Sequence, residues 1–495
     1  MIAHLPALQV VVPLLAAPLC VLLHGARAAW AVFLAAALFS LGASVTLLRR
    51  VAEAGPQHYA MGDWAPPFGI EYVIDAANAY VLVLVSLIAV VVAVYGRRSI
   101  EAEVEPRRVY LYYACLCLCL AGLLGIVATG DAFNLFVFLE ISSLSSYVLI
   151  ALGRRRQALL AAFQYLVLGT IGATFLLIGI GLAYALTGTL NIADLAQRLP
   201  ELYGNRTLVA AVAFVGVGLA IKMALFPLHA WLPGAYAEAP SAASAFLAAT
   251  ATKVAIYAFL RLAFSAFGVA LVYEQLPGGA AGLVLGTAAM LAGSAVACRE
   301  PDLKRLLAWS SVAQIGYIVV GFSLATREGV AAAFLHLANH AVIKCALFCA
   351  AGAVLLRLGD TRLEALAGLG RRMPLTFAAI VISGLGLIGV PFTAGFVSKW
   401  ALVQALIAQG AWALVAAVLV SSLLALVYVG RIVEVGWFRE PPAGALAAVP
   451  VSMTAATWAL VLLNLYLGVN SGAIGALSMM AASIFAHSAL APSGS

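Results

Sequence analysis

Three features of the sequence predict an all-α polytopic membrane protein of about fourteen transmembrane helices. Of its 495 residues, 65% are hydrophobic and only 9% charged, against about 25% charged in a soluble domain. Apolar runs of about 20 residues, the length that crosses a hydrocarbon core, recur from end to end and leave no polar stretch long enough for a soluble domain. The basic residues alternate in density between successive connections, as they do across a bilayer.

The runs fall near 5–24, 28–48, 78–97, 109–129, 131–151, 158–186, 207–227, 240–266, 280–298, 305–325, 328–356, 374–408, 411–436 and 446–470, with an apolar tail to 495 that extends the last helix. The first has no basic stretch ahead of it and no small-residue cleavage site, so it is expected to span rather than be removed. Connections after odd-numbered runs carry 17 Lys and Arg, and those after even-numbered runs carry six. Odd connections therefore face the cytoplasm and both termini face the other side. The net charge of +7 reports this topology, and no nucleic-acid-binding pattern accompanies it.

Two runs are interrupted. The seventh, AIKMALFPLHAWLP, places Pro227 five residues after Lys222. The twelfth, SGLGLIGVPFTAGFVSKW, places Gly386, Gly389, Pro391 and Gly395 before Lys399. Proline inside a helix frees a carbonyl and kinks the chain, and open backbone at membrane depth survives only beside a cavity or water. Broken helices at matching places, each with a lysine, mark an internally repeated transporter. The expected units are helices 1–3 in 1–108, a first five-helix repeat in 109–266, a second in 267–440, and helix 14 with the tail in 441–495. The odd spacing of five runs inverts one repeat relative to the other.

All 22 arginines fall between runs or at their ends, whereas Lys222, Lys253, Lys344 and Lys399 lie inside runs, and Lys304 is assigned to a loop. A cation at the bilayer centre costs about 2.5–3.5 kcal/mol even on the lenient insertion scale, so something other than stability keeps four of them. Arginine holds its proton, while a desolvated lysine can release it. The pattern is that of a proton conductor.

Glu140, in FNLFVFLEISSLSSYVL, is the only acid well inside an apolar run, and Lys222 is its expected partner. The two form either an ion pair that releases a proton when it opens or a fixed tether between helices. His336, His340 and Lys344, four apart, make one stripe on a helix face, with Asn339 beside them. A proton relay through water is expected there, with polar helix contacts or a metal pair as alternatives. The absence of HExxH and the lysine next in the stripe count against a metal. Lys253 is mid-run with Thr250 and Thr252 nearby, and either relays protons or snorkels to the interface. His229 gates a relay or caps carbonyls freed by Pro227. Lys399, just past the second break, is the expected terminal donor or acceptor. His4, His24, His58 and His487 are terminal or in loops and carry no role. Cys115, Cys117 and Cys119 point about 200° apart in succession round a helix, and Cys345 and Cys349 sit among apolar neighbours. They are expected to be core residues, with no metal or cofactor.

The stretch AIKMALFPLHAWLPGAYAEAPSAASAFLAATATKVAIYAFLR resembles the signature of the antiporter-like proton-translocating family. That family includes the large membrane-arm subunits of complex I, the A and D subunits of Mrp-type cation/proton antiporters, and related hydrogenase subunits. FVFLEISSLSSYVL, DLKRLLAWSSVAQIGY and FLHLANHAVIKCALFCAAG extend the likeness from about residue 70 to 440. It implies fourteen helices, two inverted repeats of five, a water-filled polar axis along the midplane of a bacterial inner membrane, and other membrane subunits as partners. It also implies that Glu140 and Lys222 are the family's paired glutamate and lysine, that Lys253, His336, His340 and Lys344 connect them onward, and that Lys399 ends the row. Length, the His/Lys stripe and Lys399 look most like the D-type chain of Mrp antiporters, hence a proton-translocating subunit of a multisubunit Na+/H+ antiporter. The alternative is the proton-pumping subunit of an NADH-quinone oxidoreductase-type or hydrogenase-type complex, in which the redox chemistry happens on other chains. A scaffold whose lysines are all neutralised by partners is the third reading.

Overall fold

The computed structural model describes residues 2–442 and 446–487. Helices α1 (Leu5–Leu23), α2 (Ala26–Ala54), α3 (Ala76–Glu103), α4 (Val109–Ala128), α5 (Ala132–Ala151) and α6 (Arg156–Thr187) follow in order, then the short α7 (Ile192–Arg198). The seventh apolar run is split into α8 (Arg206–Lys222) and α9 (Trp231–Glu238), and α10 (Ser241–Leu260) continues into a π-helical turn at Arg261–Ala266. Then come α11 (Gly278–Ala297), α12 (Leu303–Ser323), α13 (Arg327–Leu358) and the one-turn α14 (Leu369–Arg372). The twelfth run is split into α15 (Pro374–Ile388) and α16 (Ala394–Ala408), followed by α17 (Trp412–Val433), α18 (Val451–Val469) and α19 (Gly472–His487).

Among the described residues, 12 helical stretches are long and apolar enough to cross a membrane. The halves of the two split runs are too short to cross alone: 17 and 8 residues for α8 and α9, 15 and 15 for α15 and α16, against about 20 for a full crossing. Burial sorts the helices. α10, α12 and α13 are sheathed almost completely by protein, while α6, α11 and α17 leave most of their apolar surface outward, as hydrocarbon-facing helices do.

One local construction occurs twice. Asp131 caps α5 by accepting from the Asn134 N–H at 2.7 Å, and its strand-like backbone pairs with Asn191 beyond α6, Ala132 N–H bonding Leu190 O and Ile192 N–H bonding Gly130 O. Asp302 caps α12 by accepting from Arg305 N–H at 2.9 Å, and pairs with Arg362 beyond α13 through Leu303 N–H to Thr361 O and Leu363 N–H to Pro301 O. In both places an aspartate satisfies the first free N–H groups of a buried helix. The helix neighbours recur too: α4 on α5, α5 on α6 and α6 on α8 in one half; α11 on α12, α12 on α13, and α13 on α15 and α16 in the other.

Some expectations need correcting. The connection before α3 holds a small antiparallel hairpin, β1 (Gln57–Ala60) with β2 (Glu71–Ile74), which helical periodicity does not reveal. His58 lies on β1 and its Nδ1 is 2.6 Å from Glu71 Oε1. Lys304 is not in a loop. Because Asp302 caps α12 so that the helix begins at Leu303, two residues earlier than expected, Lys304 falls in the first turn, 1% exposed, and donates to Ala239 O at 2.7 Å. Arg261 is also interior, 2.8 Å from Asp75 Oδ2 and 2.9 Å from Asn78 Oδ1. The tail does not extend α18, because the chain breaks at Asn470 and Ser471 and α19 packs back on α13 and α3. Residues 488–495 lie outside the described residues.

Candidate proton-relay site

Both broken helices end on a lysine neighbourhood, and each break has a local cause. In the first, Pro227 has no N–H to give, Ala224 takes a left-handed φ of 57°, and α8 stops at Lys222. The Trp231 indole N–H bonds the buried Ile221 O at 2.9 Å, which also accepts the Ala224 N–H at 3.1 Å, and the indole ring stacks on Tyr165 with centroids 3.9 Å apart. In the second, the helical partner of the Leu387 carbonyl would be residue 391, which is proline. Gly389 (φ 89°) and Phe392 (φ 70°) turn the chain away. Asn464 Oδ1 accepts the Ala394 N–H at 3.2 Å, and Asn339 Nδ2 donates to Ala394 O at 2.6 Å. The halves touch so closely that a Cβ on Gly395 would lie 1.8 Å from Gly386 O.

Lys222 Nζ lies 3.4 Å from Glu140 Oε1 and donates to Ser143 Oγ at 2.8 Å. The hydroxyl is the closer partner, so the ammonium is held by a neutral group as well as by the carboxylate. Beside it is a cavity of about 20 Å³ lined by Ser142, Ser143, Ser146, Tyr165, Lys222 and Ala251. That is room for one water with several polar partners. Ala251 and Ala255 of α10 face this cavity, whereas Lys253 lies about 200° round the helix from Ala251. A proton passing between the two amines must go round α10 through water.

Lys253 Nζ folds onto Ala248 O at 2.5 Å, with Thr252 Oγ1 at 3.5 Å. α10 packs on α13, and Lys253 stands within electrostatic reach of His336, His340 and Lys344. Lys344 Nζ is held by Leu307 O at 2.6 Å and Ser310 Oγ at 2.5 Å. The His340 ring is parallel to that of His336 at 6.1 Å, and neither of its nitrogens has a hydrogen-bond partner. A buried imidazole so placed needs water on both sides.

His336 is different. Its Nε2 lies 2.9 Å from Gln314 Oε1 and its Nδ1 2.9 Å from Ser398 Oγ. Neutral, it donates to Gln314 and accepts from the serine. Protonated, it donates to both, and Ser398 turns its hydroxyl to Gly395 O, 3.2 Å away. Either charge state is satisfied by rotating one O–H. With both nitrogens engaged, His336 offers none to a metal.

Lys399, one residue beyond Ser398, donates to Leu387 O at 2.7 Å, Ile388 O at 3.1 Å and Ser422 Oγ at 3.1 Å, with Nζ 4.5 Å from the centre of the Tyr317 ring. His229 stands in the first break, stacked on Phe226 and edge-on to Trp309, with Nδ1 unbonded.

The structure thus gathers Glu140 with Lys222, and Lys253 with the α13 stripe, which Ser398 links to Lys399. His229 stays apart from both groups. The sequence reading missed Ser143, Ser310, Gln314, Tyr317, Ser398 and Ser422. Ser143 is three residues after Glu140, a spacing that puts both on one helix face, so it was findable. Ser422 lies in an apolar run with nothing to mark it.

The chain is similar to known proteins in sequence and in fold. Residues 129–425 match the family model described as NADH:quinone oxidoreductase/Mrp antiporter, TM. The chain is 43% identical over 458 residues to the N-type subunit of the NADH-quinone oxidoreductase of Desulforudis audaxviator, covering 91% of this chain and 90% of that one. It is 36% identical over 386 residues to the D-type subunit of the Na(+)/H(+) antiporter of Alkalihalophilus pseudofirmus, covering 77% and 76%. A chain of the Mrp complex from Dietzia sp. DQ12-45-1b superposes with a TM-score of 0.89 at 29% identity, over 98% of this chain and 97% of that one. The protein is a multi-pass membrane protein and belongs to the NADH:quinone oxidoreductase/Mrp antiporter transmembrane family.

Proposed function

We propose that this chain is the proton-translocating membrane subunit of a multisubunit cation (Na+)/H+ antiporter, carrying protons along Glu140, Lys222, Lys253, the α13 stripe of Lys344, His340 and His336, and Lys399, with His229 as a gate at the first break. One observation carries the reading. The four amines that lie inside the apolar runs are each held by neutral hydroxyls or carbonyls, with a single carboxylate among them at Lys222. Fixed charges kept for structure would be paired by acids, whereas amines that lose and regain protons are served by partners that tolerate both states. Likeness to the D-type chain of a Na(+)/H(+) antiporter in sequence and to an Mrp complex in structure supports the same conclusion.

The fold reading that goes with it counts each split run as one crossing, giving fourteen. The twin Asp131 and Asp302 constructions support two repeats at 109–266 and 267–440, inverted by an odd helix spacing. The loop charges support a bacterial inner membrane with both termini outside the cytoplasm. Other membrane subunits of the assembly are the expected partners. A second reading, the proton-pumping subunit of a complex I-type redox assembly, is favoured by the 43% identity to an N-type oxidoreductase subunit. Vesicles carrying the complete complex, assayed for Na+-driven and NADH-driven proton movement, separate the two. Lys222→Ala vesicles that still move protons under either drive would sink both.

A further inference from the structure

The second break builds a cage around its lysine. Leu387 O has lost its helical donor to Pro391, and Ile388 O has lost its own because Phe392 turns left-handed at φ 70°. These two carbonyls, with Ser422 Oγ from α17, converge on the Lys399 ammonium at 2.7, 3.1 and 3.1 Å. The face of Tyr317 closes the fourth side, Nζ standing 4.5 Å from its centre. Neutral oxygens from unwound backbone and a hydroxyl, backed by an aromatic ring, are hard ligands for a small monovalent cation, and the ammonium stands where that ion would sit. Val390 is partly exposed and Pro391 and Phe392 are exposed, so the cage lies next to the protein's outer surface at membrane depth.

We propose that this cage is an alkali-cation site whose occupant alternates with the proton on Lys399. In one state Lys399 is –NH3+ and fills the cage. In the other it has released H+ as –NH2, its side chain swings away, and one Na+ takes Leu387 O, Ile388 O and Ser422 Oγ. One unit charge occupies the cage in both states, so the exchange leaves the local field unchanged. The proposal rests on the antiporter reading and assigns to it a place where cation and proton compete. Besides Lys399, the titratable groups facing the cage are Tyr317 from α12 and His336 and His340 from α13. α15, α17 and α18 bring no carboxylate.

The test is equilibrium binding of 22Na+ to the purified whole complex between pH 6 and 9, with 86Rb+ in a parallel arm. One-for-one competition raises apparent Na+ affinity about tenfold per pH unit while Lys399 is protonated. Lys399→Gln is expected to retain one Na+ equivalent whose affinity no longer varies with pH. Ser422→Ala is expected to weaken that equivalent at least tenfold while leaving the lysine in place. Binding of Rb+ in place of Na+ keeps the cage and assigns it a larger ion. Wild-type pH dependence in Lys399→Gln, unchanged affinity in Ser422→Ala, or no ion bound in either arm overturns the proposal. Binding is read without transport, so its failure leaves the relay standing, and failure of the relay in Lys222→Ala leaves this site standing.

Discussion

Lys222→Met separates chemistry from folding, because the structure predicts that it costs almost no stability. The side chain is 4% exposed, and methionine keeps the unbranched stem, so no cavity opens. Removing the amine returns about 2.5–3.5 kcal/mol of burial cost. It forfeits the 2.8 Å bond to Ser143, worth about 1.5–3 kcal/mol for a charged donor. It also forfeits the pair with Glu140 at 3.4 Å, whose carboxylate is 26% exposed, worth about 1 kcal/mol at most. These terms cancel to within about 1–2 kcal/mol. The complex should therefore assemble at wild-type level and melt within a few degrees of it, while proton exchange falls to background. The assay is pH-dye quenching in inverted vesicles, alongside thermal unfolding of the purified complex. Undiminished exchange in an assembled Lys222→Met complex refutes the role given to the amine. Failure to assemble refutes the energy balance.

Lys399→Arg should lose transport in the same vesicle assay, since the guanidinium keeps charge in the carbonyl cage but cannot release its proton; full activity would make Lys399 a fixed charge. Gly395→Ala drives a methyl into Gly386 O and should cost about 1–3 kcal/mol, read as a lower melting temperature with transport lost before assembly. Arg261→Ala strands the buried Asp75 carboxylate and should cost about 3–5 kcal/mol, read as reduced complex in membranes. Trp231→Phe keeps the stack on Tyr165 but removes one of the two N–H groups that serve Ile221 O, and should cost about 0.5–1.5 kcal/mol in thermal unfolding.

The spanning helices and both breaks were legible because a bilayer imposes one strong rule, apolar length, and because Pro227 and Pro391 cannot donate. The amines were legible because burying charge is expensive enough to stand out. What the sequence concealed is what costs little. Serine is ordinary in a membrane helix, so Ser422 gave no sign that it reaches Lys399. Lys304 looked like a loop residue because it lies among Arg299, Arg305 and Asp302, and only the Asp302 cap shows that α12 has already begun. The hairpin at Gln57–Ile74 rests on eight paired residues, too few for a periodic signal. Chain order also hid distance round a helix: Lys222 and Lys253 read as neighbours in a row, yet α10 stands between them.

The two breaks hold their amines in unlike ways, and in the proposed relay this difference has a consequence. A proton leaving Lys222 strands the Glu140 carboxylate as an uncompensated charge 3.4 Å away, which favours prompt return of a proton. A proton leaving Lys399 strands only carbonyl and hydroxyl dipoles, which water or another cation can satisfy. The first end is therefore expected to recover by taking up a proton, and the second by accepting a substitute. A repeat duplicated with a carboxylate at both breaks would make two proton pairs of the same kind. Losing the acid at one break leaves an end where something other than H+ can stand, and exchange of unlike ions requires such an end.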